Sequence, residues 1–282
     1  MVCIGVHVSI AGGLDRAVDR AVERHCDLFQ IFSRSPRGWS SKDLSPDDVE
    51  RFQTKMKASG MALAVDHMPY LPNLASPKEE VYSRSVDLLT AELNRCQWLN
   101  LPYLVTHLGS HLGSGWETGK KRIVDALDVA LSAANRDVML LLENTSGTKN
   151  SMGSSFEEIA AIIDAVGTGS ARLGVCLDTC HLFAAGYDLR TKGDLRETLE
   201  QFDHSVGLDR LKLLHLNDSR GTLGSRLDRH EHIGLGEIGV GGFREILQDE
   251  FLRNLPMILE TPVDKRRDDA GNLKAVRALA SY

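Results

Sequence analysis

VMLLLEN, residues 138–144, is apolar for five positions and then closes on a carboxylate, Glu143. A run of that length and composition suits a parallel strand covered on both faces. A carboxylate at its end is costly to desolvate unless it is paired or metal-bound. The same construction repeats outward from this run. LAVDH (63–67) ends on His67, YLVTHLG (103–109) carries His107, LGVCLD (173–178) ends on Asp178, LKLLHLN (211–217) carries His215 and PMILETP (256–262) carries Glu260. With VCIGVHVS (2–9) and LFQIFS (28–33) these make eight strand-like runs, six of them closed by a side chain able to bind a metal. Between those six residues the intervals are 40, 36, 35, 37 and 45 positions. Each is about one strand, loop and helix of a β/α barrel, whose ~250 residues divide into eight such units. A parallel barrel gathers the C-terminal ends of its strands on one face, so the six side chains are aimed at one place.

The stretches between the runs read as helices. LDRAVDRAVERH spaces apolar and charged residues at helical intervals, and SPDDVERFQTKMKASG offers Ser45 as N-cap, Pro46 in the first turn and Gly60 as a stop. Segments 78–98, 117–135, 155–166, 193–206, 241–253 and 272–281 follow the same pattern. Strict alternation without a low-complexity linker predicts an α/β fold, an eight-stranded parallel β/α (TIM) barrel forming a single domain over residues 1–282. No GxxxxGK[ST] loop follows a strand, and the glycines of GLGEIGVGG (234–242) come after a long loop, which argues against a nucleotide cofactor.

At 282 residues and 42% hydrophobic the chain can bury a full core. Its first residues, MVCIGVHVSIAGG, lack the basic segment of a secretory leader, and no apolar run approaches the ~20 residues of a membrane helix, so a cytoplasmic protein is expected. Cys3, Cys26, Cys96, Cys176 and Cys180 form neither a CxxC pair nor an even set, which points to reduced core residues. A net charge of −6 works on average against a nucleic-acid partner, but the distribution of charge can overrule the average.

Two local motifs enlarge the ligand set. In LDTCH, His181 follows Asp178 at i+3, where the strand should give way to loop. In DRH, Asp228 and His230 flank Arg229, and an extended segment puts i and i+2 on the same side. The nine nitrogen and oxygen donors suffice for about three metals at about three protein ligands each. Imidazole with carboxylate favours zinc and also suits manganese. Taken alone, any of the nine would more often be a structural group; their conjunction makes the site. His25, His111 and His204 read as surface or hydrogen-bonded histidines, and spacing leaves His7 and His232 open.

Loops on the same face carry further chemistry. SRSPRGWSSK combines Arg34, Arg37, Trp39 and Lys42, suited to phosphate contact and base stacking, although composition alone slightly favours a solvated loop with Trp39 folded onto the barrel. HMPYLPNLASP sets Tyr70 and Leu71 on a proline-braced loop, either as wedges for a base stack or as ordinary packing. Arg220, Arg226 and Arg229 lie in the seventh loop, and Lys265, Arg266 and Arg267 in the eighth.

Together GVHVSIAGG, HMPYL, THLGSH, LLENT, CLDTCH, HLNDS, DRHEHIGLGEIG and ILETP resemble endonuclease IV, a family of zinc-dependent apurinic/apyrimidinic endonucleases of base-excision repair. The likeness spans essentially the whole chain in order. It implies that His67, His107 and Glu143 hold a first zinc, Glu143, Asp178, His215 and Glu260 a second, and His181, Asp228 and His230 a third. It further implies catalytic roles for Glu143 and Glu260, and contact of Arg37, Tyr70 and Leu71 with the DNA lesion. The implied reaction is hydrolysis of the phosphodiester 5′ of an abasic site in duplex DNA, leaving a 3′-hydroxyl and a 5′-deoxyribose phosphate, with trimming of blocked 3′ ends. A monomer with no membrane partner is expected. Two departures stand out: Leu108 where the family has proline, and Gly38 beside Arg37.

Two other readings compete. Glu143, Asp178, His215 and Glu260 alone would fit a sugar isomerase or epimerase of xylose-isomerase-like barrels, which leaves His67, His107, His181, Asp228 and His230 without a joint purpose. A non-catalytic DNA-binding barrel would need no metal cluster.

Overall fold

The computed structural model describes residues 2–40, 42–134, 137–167 and 169–281. Its strands are β1 (Cys3–His7), β2 (Phe29–Ile31), β3 (Ala64–His67), β4 (Tyr103–His107), β5 (Met139–Glu143), β6 (Leu173–Asp178), β7 (Leu211–His215), the two-residue β8 (Asp218–Ser219) and β9 (His230–Glu231), and β10 (Pro256–Leu259). All but β8 and β9 form a closed barrel in the order β1-β10-β7-β6-β5-β4-β3-β2. Every neighbouring pair in the barrel is parallel. The helices are α1 (Leu14–Glu23), α2 (Pro46–Ser59), α3 (Glu79–Leu99), α4 (Trp116–Ala133), α5 (Phe156–Ala165), α6 (Thr179–Ala185), α7 (Lys192–Ser205), α8 (Gly239–Gln248) and α9 (Asp269–Ala280). Asn135, the last residue of one expected helix, and Ser41 of the basic loop lie outside the described residues.

Local chemistry accounts for the boundaries. Ser45 accepts from the Asp48 amide in a capping box, Pro46 opens α2, and Gly60 ends it at φ 70°. Two elements depart from expectation. The segment after Asp178 is the helix α6, because the Asp178 carboxylate accepts from the amide of His181 and caps the helix as it leaves the strand. The seventh loop contains the antiparallel β8–β9 ladder, pairing Ser219 with His230.

Inside the barrel the strands stack two contrasting layers. Leu28, Val65, Val105, Leu141, Cys176, Leu213 and Ile258 form a dry floor. On β1 the corresponding residue is Gly5, where a Cβ would stand 1.7 Å from the Leu28 carbonyl oxygen. Two positions further along each strand are His7, Gln30, His67, His107, Glu143, Asp178, His215 and Glu260. Side chains two apart share a face, so the next layer towards the mouth is wholly polar.

Candidate metal centre and its rim

Register brings the polar layer together. His107 pairs in register with Glu143 across β4 and β5, and Asp178 with His215 across β6 and β7. Glu143 is the hub and fully buried. One carboxylate oxygen, Oε2, lies 3.0 Å from His67 Nε2 and 3.3 Å from His107 Nδ1. The other, Oε1, lies 3.1 Å from His215 Nδ1 and 3.6 Å from His181 Nδ1. Glu260 Oε2 approaches His215 Nδ1 at 3.4 Å. His230 Nε2 stands 3.5 Å from Asp178 Oδ2, and Asp228 Oδ1 is 3.2 Å from His181 Nε2 and 3.9 Å from His230 Nε2.

All nine sequence-predicted ligands therefore converge. Three overlapping sets can each place one donor atom per residue within 4.8 Å of the others: His67, Glu143 and His215; Glu143, Asp178, His215 and Glu260; and Asp178, His181 and His230. His107 and Asp228 border these sets, with side chains 38% and 52% exposed. The donors are imidazole nitrogens and carboxylate oxygens, suited to zinc by type. His230 Nε2 is buried without a hydrogen-bond partner, although Asp178 is near. A buried polar atom left unpaired in this way is what a metal would satisfy.

The electrostatics run in the same direction. Burial pushes Glu260 up, but His215 and His67 outweigh it and hold the carboxyl at about 2. Glu143 lies well below the usual range, because His107 and His215 overcome its burial. Asp228 is held down to about 2, chiefly by its hydrogen bond to His181. His181 is driven up to about 10, since Asp178, Asp228 and Glu143 outweigh its burial. Ionised carboxylates thus crowd one small volume, which attracts cations.

Neighbouring groups fix the donors. His67 Nδ1 meets the Met68 carbonyl at 2.7 Å, His181 Nδ1 the Asn144 carbonyl at 3.0 Å, and His230 Nδ1 the Glu260 carbonyl at 3.0 Å. Each leaves Nε2 turned inward, as is usual for ligating histidines. Asn217 donates to Asp178 Oδ2 at 2.7 Å and accepts from the Glu260 amide at 2.8 Å. Gln30 and Asn217 were missed in the sequence because a neutral amide is not among the usual zinc ligands; the i+2 step from Leu28 would have found Gln30. His7 joins the layer at 3.9 Å from Glu260, with burial lowering it to about 4. His232 does not join: it is buried between Asp264, at 3.0 Å, and Asn272, at 3.0 Å.

The rim sorts the basic loops. Tyr70 is 72% exposed and rests against Phe32 with ring centroids 5.1 Å apart, while Leu71 is 39% exposed. Phe32 in turn packs tilted against His7 and edge-on against His67, so Tyr70 lies one ring removed from the cluster. Arg37 is exposed. Arg34 is not available to a ligand, contrary to its placement among the basic loop residues, because it is buried and paired with Glu92. Trp39 packs on the core beneath the Arg84 guanidinium, 4.6 Å from the ring centroid. Arg220 and Arg266 are exposed but pair with Glu231, and Arg267 donates to the Ile233 carbonyl, leaving Arg226, Arg229 and Lys265 as exposed cations of these loops outside any ion pair among the described residues. Leu108 is fully buried, so the leucine is accommodated by packing. At Gly38 an added Cβ would meet only the Ser40 carbonyl, 3.9 Å away. The glycines of 234–239 wrap an anion, but it is the chain's own Asp218, which accepts from the amides of Gly234, Gly236 and Ile238. No helix among the described residues is long and apolar enough to cross a membrane.

Residues 18–282 match the family model of the xylose isomerase-like TIM barrel. The chain is 55% identical over 281 residues to a protein named probable endonuclease 4 from Methanoculleus marisnigri, covering 99% of each. It superposes on the crystal structure of endonuclease IV from Thermus thermophilus with a TM-score of 0.86 and 40% identity, covering 99% of this chain and 98% of that one. A D-tagatose 3-epimerase-like protein shares the fold, with a TM-score of 0.71 at 19% identity over 98% of this chain and 96% of that one.

Proposed function

This chain belongs to the endonuclease IV family of xylose isomerase-like TIM barrels, and from that premise we propose that it is a DNA-repair endonuclease using about three zinc ions. It hydrolyses the phosphodiester 5′ of abasic sites in duplex DNA, giving a 3′-hydroxyl and a 5′-deoxyribose phosphate, and trims blocked 3′ ends. The observation carrying this reading is the convergence of nine donors beneath an exposed aromatic and aliphatic rim. A sugar epimerase would need only Glu143, Asp178, His215 and Glu260.

His67, His107 and Glu143 would hold one ion, Glu143, Asp178, His215 and Glu260 a second, and His181, Asp228 and His230 a third. Such ions supply a nucleophile at neutral pH and charge neutralisation at the phosphoryl oxygens. The protein supplies the rest. Glu260, with its side chain 22% exposed, reaches the mouth and orients the attacking water. Tyr70 and Leu71 enter the gap left by the missing base, at a cost in unstacking that damaged DNA minimises. Arg37 contacts phosphate from the neighbouring loop.

The test is metal analysis beside nicking of an abasic duplex, with and without chelator. About three ions per chain and chelator-sensitive nicking are expected. One ion per chain, no nicking and turnover of a ketose would establish the epimerase reading instead. Glu260→Gln should lower cleavage by ~10²-fold or more while abasic DNA still binds; cleavage at the wild-type rate would remove Glu260 from the mechanism.

A further inference from the structure

Gln30 stands on β2 in the polar layer, fully buried, and touches two of the proposed ligands. Its amide nitrogen donates to Glu260 Oε1 at 2.6 Å and meets His7 Nδ1 at 3.1 Å. Its amide oxygen faces His215 Nε2 at 2.8 Å. The orientation of the amide follows from its partners. An ionised carboxylate only accepts, so the NH2 group must face Glu260 and the carbonyl must face His215. A carbonyl there requires the proton of His215 on Nε2, which leaves Nδ1 free to ligate. Nδ1 is the nitrogen turned to Glu143 Oε1, at 3.1 Å, and Glu260 Oε2, at 3.4 Å.

We propose that Gln30 is a positioning residue of the metal centre: one side-chain amide presents His215 Nδ1 and Glu260 Oε2 together to the same ion. Its two N–H groups are used on Glu260 Oε1 and His7 Nδ1, and its carbonyl on His215 Nε2. The inference rests on the metal-centre reading above, and only on that part of it.

The decisive experiment compares zinc-loaded wild type with Gln30→Leu, Gln30→Met and Gln30→Glu. Zinc affinity is measured by titration against a chelating dye, and the His215 Nε2–H proton by NMR of histidine-labelled protein. In the wild type that proton should resonate downfield and exchange slowly. Leu and Met should weaken one zinc of the set by about tenfold, leave the others within twofold, and abolish the slow exchange. Glu keeps an oxygen opposite Nε2 and should restore the protected proton. Wild-type affinity for every ion in the Leu or Met variant, or a protected proton unaffected by either, would overturn the proposal. Should Leu fail to fold, Met decides, being unbranched and closest to Gln in shape. Zinc affinity is read without DNA, so a wild type that binds zinc and cuts no abasic site would sink the nuclease reading and leave this one standing.

Discussion

Along the same strands, the floor of the barrel and the layer above it differ by two residues and by almost everything else. Leu141 and Glu143 are both fully buried, point into the same interior and sit on one strand. The floor is lined by apolar side chains, which offer a charge no partner of their own. The layer above offers each carboxylate several imidazoles and lies beneath the open mouth. Burial alone therefore says little about tolerance of charge; the available partners decide it.

The largest effect should come from moving charge into the floor. Leu141→Asp places a carboxyl among the apolar side chains of the floor and should cost roughly 4 kcal/mol or more. Glu143→Leu makes the opposite change in the layer above. The zinc-free protein should lose less than Leu141→Asp does, because the imidazoles freed from Glu143 can shed their protons and keep Asp178, Asp228 and Glu260 as neighbours, while zinc binding and cleavage are lost. Chemical denaturation of both variants in chelator measures the contrast, and equal losses would erase it.

Removing metal is the next lever. At a free zinc concentration 100 times its Kd, a single site adds about 2.7 kcal/mol, or roughly 5 to 10 °C in a domain of this size. Thermal melts with and without chelator should show at least that drop. Coincident melts would mean that the layer is satisfied by its own hydrogen bonds and holds no ion.

The contrast also explains what the sequence made legible. Six strands announce the polar layer because an ionisable group closes an apolar run, and that is visible in VMLLLE and LGVCLD. The other two do not: Gln30 is uncharged and the spacing leaves His7 open, and the closed register aligns both with Glu143. Arg34 shows the converse. Ser35 and Arg37, which follow it, are exposed, but Glu92, 58 positions away on α3, draws it into the core. Pairings that distant are set by the packing of helix on strand, which periodicity does not encode.

On the rim, effects should be smaller and confined to DNA. Tyr70→Ala with Leu71→Ala should weaken abasic-site binding by about 1–3 kcal/mol, the range for a stacking contact, without changing zinc content. Unchanged affinity in a titration at fixed salt would make the pair ordinary loop packing.

The smallest effect separates two aromatic residues that both lie near the basic loops. Tyr70 is exposed above Phe32, whereas Trp39 is partly buried against the core under Arg84. Trp39→Ala should cost stability, by about 0.5–1 kcal/mol for the cation–π contact beyond its packing, and leave the affinity for abasic DNA within twofold. A loss of affinity in the folded variant as large as that of the Tyr70 and Leu71 pair would move Trp39 from scaffold to DNA contact, and would extend the working rim outward from the mouth to the edge of α3.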